Sequence, residues 1–196
     1  MSIETSLAKK SVFREYVESF IVAVLLALLV RTFFVQAFKI PTGSMRPTLI
    51  EGDRILVNKV VYGIRIPFTG WRLPALRNPQ RGDIVVFEAP DDSHKDFIKR
   101  LVAVENDEVE IGDLRVWVNG RPLTEPALFR EMVYYNRGPF GQLGKPVKVP
   151  PGHYFFLGDN SGSSKDSRYW GFLPKGHIIG RAFLSYWPPR RIRWLR

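Results

Sequence analysis

"YVESFIVAVLLALLVRTFFVQAF" (Tyr16–Phe38) decides how the rest of the chain must be read. Its uncharged centre, Ser19–Val30, is twelve residues long, short of the roughly twenty that a bilayer-crossing helix needs. Continuing past Arg31 to Phe38 reaches that length, provided the long arginine side chain snorkels to the interface. The segment is apolar all round, which argues against a helix lying on a soluble core. Lys9, Lys10 and Arg14 ahead of it, with Val35-Gln36-Ala37 at its end, also fit a secretory signal and its cleavage site. A retained transmembrane anchor over residues 16–38 is the expectation. Lys9, Lys10 and Arg14 on one side balance Arg31, Lys39 and Arg46 on the other, so charge leaves the orientation open.

The remainder has a globular composition with a basic bias. Of the 196 residues, 45% are apolar and 24% charged, enough for a packed core. The formal net charge is +10, and of the cations only Lys9, Lys10, Arg14 and Arg31 precede residue 39. Such a surplus suits an anionic partner, either a lipid surface or nucleic acid. Apart from "RRIRWLR" (Arg190–Arg196) the basic residues are scattered, without zinc-finger spacing or an RNP-like aromatic string. Anionic lipid is therefore expected as a partner and nucleic acid is not. The absence of cysteine removes disulfides, thiolate metal sites and a cysteine nucleophile.

Beyond residue 38 the pattern is β. "RILVNKVV", "DIVVFEA", "DFIKRLVAV", "DEVEI", "HYFFLGD" and "HIIGRAFL" are short, rich in β-branched and aromatic residues, and bounded by Gly, Pro or Asp. Asn119-Gly120 within "LRVWVNGRPL" is a strong hairpin signal. Residues 62–82 and 124–152 read as loops or irregular insertions. The expected fold class is mainly β: a coiled antiparallel β-sheet domain with one N-terminal transmembrane helix.

"FKIPTGSMRPTL" (Phe38–Leu49) sets Ser44 between Gly43 and Met45 and between two prolines, Pro41 and Pro47. This is an ordinary setting for a turn serine, and also a stiff backbone for a nucleophile. A nucleophilic serine needs a base. His94, His153 and His177 lie in no recognisable catalytic context, and no pair has helical metal-ligand spacing. Lys99 sits within an apolar strand pattern. Alternation puts Phe97, Lys99 and Leu101 on one face and Ile98 and Arg100 on the other. An exposed strand face would leave Lys99 charged; burial would lower its pKa from about 10.4 toward the roughly 7–8 that suits a base.

Taken in order, "IPTGSMRPTL", "RGDIVVF", "DFIKRLV" and "GDNSGSSKDSRYWGFLP" resemble the motif series of the type I signal peptidases, over the anchor and most of residues 13–187. The resemblance implies a membrane-bound serine endopeptidase that removes signal peptides from exported preproteins after small residues at −3 and −1. It makes Ser44 the nucleophile and Lys99 the general base. Thr42 and the Ser44 backbone become the oxyanion hole, Ser164 the residue that orients the base, and Asp166 with Arg168 a structural ion pair. It assigns Phe38, Ile40, Met45, Leu49, Ile55, Val86, Phe97 and Ile98 to substrate-binding pockets, with alternation turning Ile98 away from Lys99. No metal or cofactor is implied.

The same resemblance orients the chain in the cytoplasmic (inner) membrane. Residues 1–15 would be cytoplasmic, 16–38 the anchor, and 39–196 an extracytoplasmic catalytic domain on the outer face. Two stretches depart from the family pattern. "LVAVENDEVE" replaces a Gly-Leu-Pro-Gly-Asp run after Lys99-Arg100, and Ser161-Gly162 replace an Arg-Asp pair. A compact Glu105–Pro150 region leaves room for only a small accessory subdomain. The rival readings are a non-catalytic membrane-tethered β domain and a self-cleaving repressor, which would need a DNA-binding element where this chain is apolar.

Overall fold

A computed structural model describes residues 12–66, 69 and 71–195. Lys9 and Lys10, and with them most of the 1–15 stretch, lie outside the described residues. Helix α1 (Val12–Phe33) is long and apolar enough to cross a membrane, and none of its residues is buried by the rest of the chain. It lies earlier than the 16–38 segment expected. Val35 to Phe38 leave the helix for strand β1 (Val35–Lys39), because their backbones pair with a neighbouring strand.

The strands that follow are β2 (Arg54–Asn58), β3 (Ile84–Ala89), β4 (Asp92–Ala103), β5 (Glu108–Gly112), β6 (Arg115–Val118) and β7 (Arg121–Pro122). After a one-turn helix α2 (Leu128–Glu131) come β8 (Val147–Lys148) and β9 (His153–Leu157). Helix α3 (Ser167–Trp170) precedes β10 (Leu173–Pro174), β11 (Ile178–Trp187) and β12 (Arg193–Trp194). Among the described residues the larger sheet runs β1-β2-β11-β3-β4-β9-β10, with β12 against β11, and a smaller one runs β7-β6-β5-β8. Every pairing between named strands is antiparallel. Register shifts on β3, β4 and β11 mark bulges, which bend and twist the sheet.

Side-chain alternation explains why the sheet is covered on both faces. On β3, Ile84 and Val86 join Ile40, Met45, Leu49 and Ile55 on one face. Val85 and Phe87 join Leu101, Phe156 and Ile178 on the other. A third cluster, with Val102, Val109, Phe155 and Leu157, seats the small sheet against β4 and β9. The small sheet occupies the compact Glu105–Pro150 region. Its β6–β7 turn uses Asn119 and Gly120 at φ 53° and 72°, the left-handed geometry a two-residue hairpin requires.

Candidate active site

The Pro41–Pro47 segment lies in the connection between β1 and β2. Thr42 is extended, and Gly43–Met45 form a single tight turn closed by Arg46 N–H donating to Gly43 O at 3.1 Å. The side chains of Met45 and Leu49 are wholly buried, each contributing roughly 2–3 kcal/mol that holds the turn down. A second clamp comes from the loop after β9. Asn160 N–H donates to Ser44 O at 3.0 Å, and Asn160 Nδ2 donates to Gly43 O at 3.0 Å. Ser44 is thus fixed from below by packing and from the side by hydrogen bonds.

Lys99 reaches the same point from the middle of β4, opposite Val85 of β3. It is 4% exposed, and its Nζ lies 2.6 Å from Ser44 Oγ. The nitrogen also stands 5.4 Å from the centre of the Phe97 ring. Burial pulls its pKa down to about 8; Asp166 and Asp159 oppose that shift, and Arg168 adds to it. A lysine here is half neutral near pH 8. As an ammonium it donates to Ser44 Oγ, and as a free amine it accepts the hydroxyl proton.

The surrounding loop is organised by two buried ion pairs. Arg168 grips Asp166 through Nε and Nη2, both at 2.7 Å, and the carboxylate also accepts from Gly158 N–H at 3.0 Å. Arg168 further donates to Tyr135 O and to Ser161 Oγ. Ser161, at one of the two departures from the family pattern, is therefore a hub that also accepts from Tyr135 N–H at 2.8 Å. The other departure forms a turn in which Asn106 takes φ 69° and Asp107 accepts from Val104 N–H. The second ion pair, Arg100 with Asp159, is 0% exposed at both side chains, with bonds of 2.8 and 2.6 Å. Thr48 Oγ1 donates to the same Asp159, tying the segment after Ser44 to the loop before Asn160.

A cleft of about 580 Å³ opens over the Ser44–Lys99 contact and is lined by Thr42, Phe97, Ile98, Ser163 and Lys165 among others. Thr42 is exposed at its mouth. Of the residues named for substrate pockets, Phe97 and Ile98 line this cleft. Ile40, Met45, Leu49, Ile55 and Val86 are buried together in one cluster, with Phe38 and Ile98 packed against it. Phe38 stands directly opposite Ile55 across the β1–β2 pair. Ser164 is buried, but its Oγ has no hydrogen-bond partner in the structure, so it is not bonded to Lys99 here. None of the three histidines lines the cleft. Among the described residues no cluster of His, Cys, Asp and Glu could hold a metal ion.

Sequence reasoning missed Asn160, Gly158 and the Arg100–Asp159 pair. Gly158 matters because a Cβ there would stand 2.2 Å from Ser164 Oγ and 2.5 Å from Ser44 O. The available hint for Arg100 was a second cation beside Lys99, turned to the opposite face, with nothing nearby in sequence to neutralise it.

A family model described as signal peptidase, peptidase S26, matches residues 13–187. The chain belongs to that signal peptidase family. A signal peptidase I of Pseudomonas fluorescens is 37% identical over 226 aligned positions, covering 96% of this chain and 78% of that protein. A probable signal peptidase I-2 of Synechocystis is 39% identical over 198 positions, covering 96% and 82%. A solved signal peptidase I from Enterococcus faecalis V583 is 32% identical and covers 54% of this chain and 97% of its own, with a TM-score of 0.44. As a signal peptidase the protein is a serine endopeptidase that removes signal peptides, and α1 fits a membrane-anchored member of the family.

Proposed function

We propose that this signal peptidase cuts by a Ser44/Lys99 dyad, after small residues at −3 and −1 of exported preproteins. The single observation that carries the reading is a buried amine 2.6 Å from the only hydroxyl oxygen it is bonded to among the described residues, that of Ser44.

The steps follow from that contact. Neutral Lys99 takes the Ser44 hydroxyl proton while Oγ attacks the carbonyl carbon of the −1 residue. The resulting oxyanion accepts from the Ser44 N–H and the Thr42 hydroxyl, donors that are each typically worth about 3–4 kcal/mol in a transition state. Lys99 then returns the proton to the leaving amine of residue +1, and the acyl ester remains on Ser44. A water, deprotonated by Lys99, hydrolyses the ester and restores the hydroxyl. Ser164 orients the amine through a rotation of its free hydroxyl, and the Asp166–Arg168 pair keeps the loop beneath it in place.

Selectivity for small side chains follows from the walls. Phe97 and Ile98 narrow the cleft, and Ile40, Met45, Leu49, Ile55 and Val86, with Phe38, pack into a core beneath it that cannot yield to a bulky residue. The domain stands on the outer face of the cytoplasmic membrane, where signal peptides emerge, with residues 39–196 outside and α1 forming the anchor. Purified chain in detergent, incubated with a preprotein, tests the function. Cleavage directly after the signal peptide is expected. Intact preprotein would favour the non-catalytic binding domain instead.

A further inference from the structure

A cavity of about 870 Å³ is separate from the peptidase cleft. It lies where the anchor meets the domain: Thr32 in the last turn of α1 forms part of its wall, with Lys59, Arg65, Arg72, Glu88 and Lys175 around it. Four cations thus face one carboxylate among the described lining residues, and Glu88 is already paired with Arg65 at 2.6 Å. Lys59 donates to the amide oxygen of Gln36 and Lys175 to that of Asn78, both at 3.1 Å. Arg72 donates to the backbone oxygens of Tyr62 and Ile178. The hydrogen bonds of these three cations go to neutral partners, and the carboxylates that act on them are Asp96 on Lys59 and Glu88, already paired with Arg65, on Arg72.

Burial lowers the pKa of Lys59, and Arg65 and Arg31 lower it further. Arg72 is lowered too, by burial first and Arg65 second. A bound anion would relieve both. At the same rim Trp71 is 75% exposed, an amphipathic ring of the kind that settles at headgroup level. The C-terminal run "RRIRWLR" is differently placed. Arg191 is bonded to Asp53 and Arg193 to Thr48 O, so two of its cations are committed inside the fold.

We propose that this cavity binds the phosphate headgroup of an anionic phospholipid from the bilayer around α1. The position selects a lipid over a free ion, because the last turn of the anchor forms one wall and an exposed tryptophan stands at the mouth. The cavity also adjoins the cleft. Lys59 acts electrostatically on Asp96, which lines the cleft and pairs across the strands with Glu88. A seated headgroup therefore holds the cleft at the membrane surface.

The proposal rests on α1 being embedded, and that reading fails separately if the full chain stays dispersed in water without detergent. The test is native mass spectrometry of the full chain in dodecyl maltoside, titrated with dioleoylphosphatidylglycerol or dioleoylphosphatidylcholine. Retention of one phosphatidylglycerol in preference to phosphatidylcholine is expected. Lys59→Gln with Lys175→Gln should weaken it roughly 30-fold, and Lys59→Arg with Lys175→Arg should keep it. Equal retention of both lipids, undiminished retention in the glutamine variant, loss in the arginine variant, or displacement by millimolar inorganic phosphate would each overturn the headgroup site.

Discussion

Lys99 Nζ and Ser44 Oγ meet at 2.6 Å although their residues are 55 positions apart in the chain. Each is held by a different device, Lys99 by a strand flanked on both sides and Ser44 by a packed turn that Asn160 clamps. The contact therefore belongs to the fold and needs no substrate to form.

Removing either member should stop the reaction while leaving substrate binding nearly intact. Ser44→Ala and Lys99→Ala are expected to lower kcat by at least about a thousandfold, and the double variant little further, since members of one catalytic unit are not additive. Lys99→Arg should be as inactive as Lys99→Ala, because a guanidinium does not give up its proton. Single-turnover cleavage of a preprotein measures all four.

The depressed lysine sets two pH dependences of the same sign. Activity needs the free amine, so kcat/KM should rise about tenfold per pH unit below 8 and level off above it. Stability should also rise with pH. The unfolded chain holds this proton up to its ordinary value of 10.5 and the native site releases it near 8, so between them the unfolded state binds more protons. Below pH 8 the buried charge costs the fold roughly 3 kcal/mol. Lys99→Met should therefore unfold at higher urea concentration than wild type at pH 7, with the difference shrinking toward pH 10.5.

Gly158→Ala should damage catalysis without replacing either dyad member. The added methyl meets Ser164 Oγ and the Ser44 carbonyl. The serine can rotate away; the backbone oxygen, held by Asn160, must move. A displacement of that size at the nucleophile should cost kcat about a hundredfold, read in the same cleavage assay, with KM little changed.

Arg100 and Asp159 are wholly buried, so the consequence of breaking the pair depends on how it is broken. Arg100→Ala strands a carboxylate in the core and should destabilise the domain by about 3–5 kcal/mol. Replacing both, Arg100→Met with Asp159→Leu, removes the stranded charge and should recover part of that loss. Urea unfolding of the two variants beside wild type distinguishes these outcomes.

The readable parts of this fold were those where local chemistry admits one answer. An all-round apolar segment, alternating β-branched runs and Asn119-Gly120 each specify their element without reference to distant partners. The end of α1 was not readable, because Val35, Ala37 and Phe38 continue its apolar run and only pairing with β2 draws them into a strand. Leu114 at φ 62° in the β5–β6 turn is likewise imposed by the hairpin, since leucine has no preference for that geometry. In the site, alternation brought Lys99 to an apolar face, but its burial came from strands and loops far away in sequence. Asn160, Gly158 and Asp159 looked like ordinary loop residues because their partners, Gly43, Ser44 and Arg100, are more than fifty positions distant.

The most direct measurement is the titration of Lys99 itself, by NMR of the chain labelled with carbon-13 at lysine Cε and assigned by loss of the signal in Lys99→Arg. The account predicts that this resonance titrates near pH 8. A Lys99 that keeps its proton to pH 10 or beyond would contradict it, for Ser44 would then have no base.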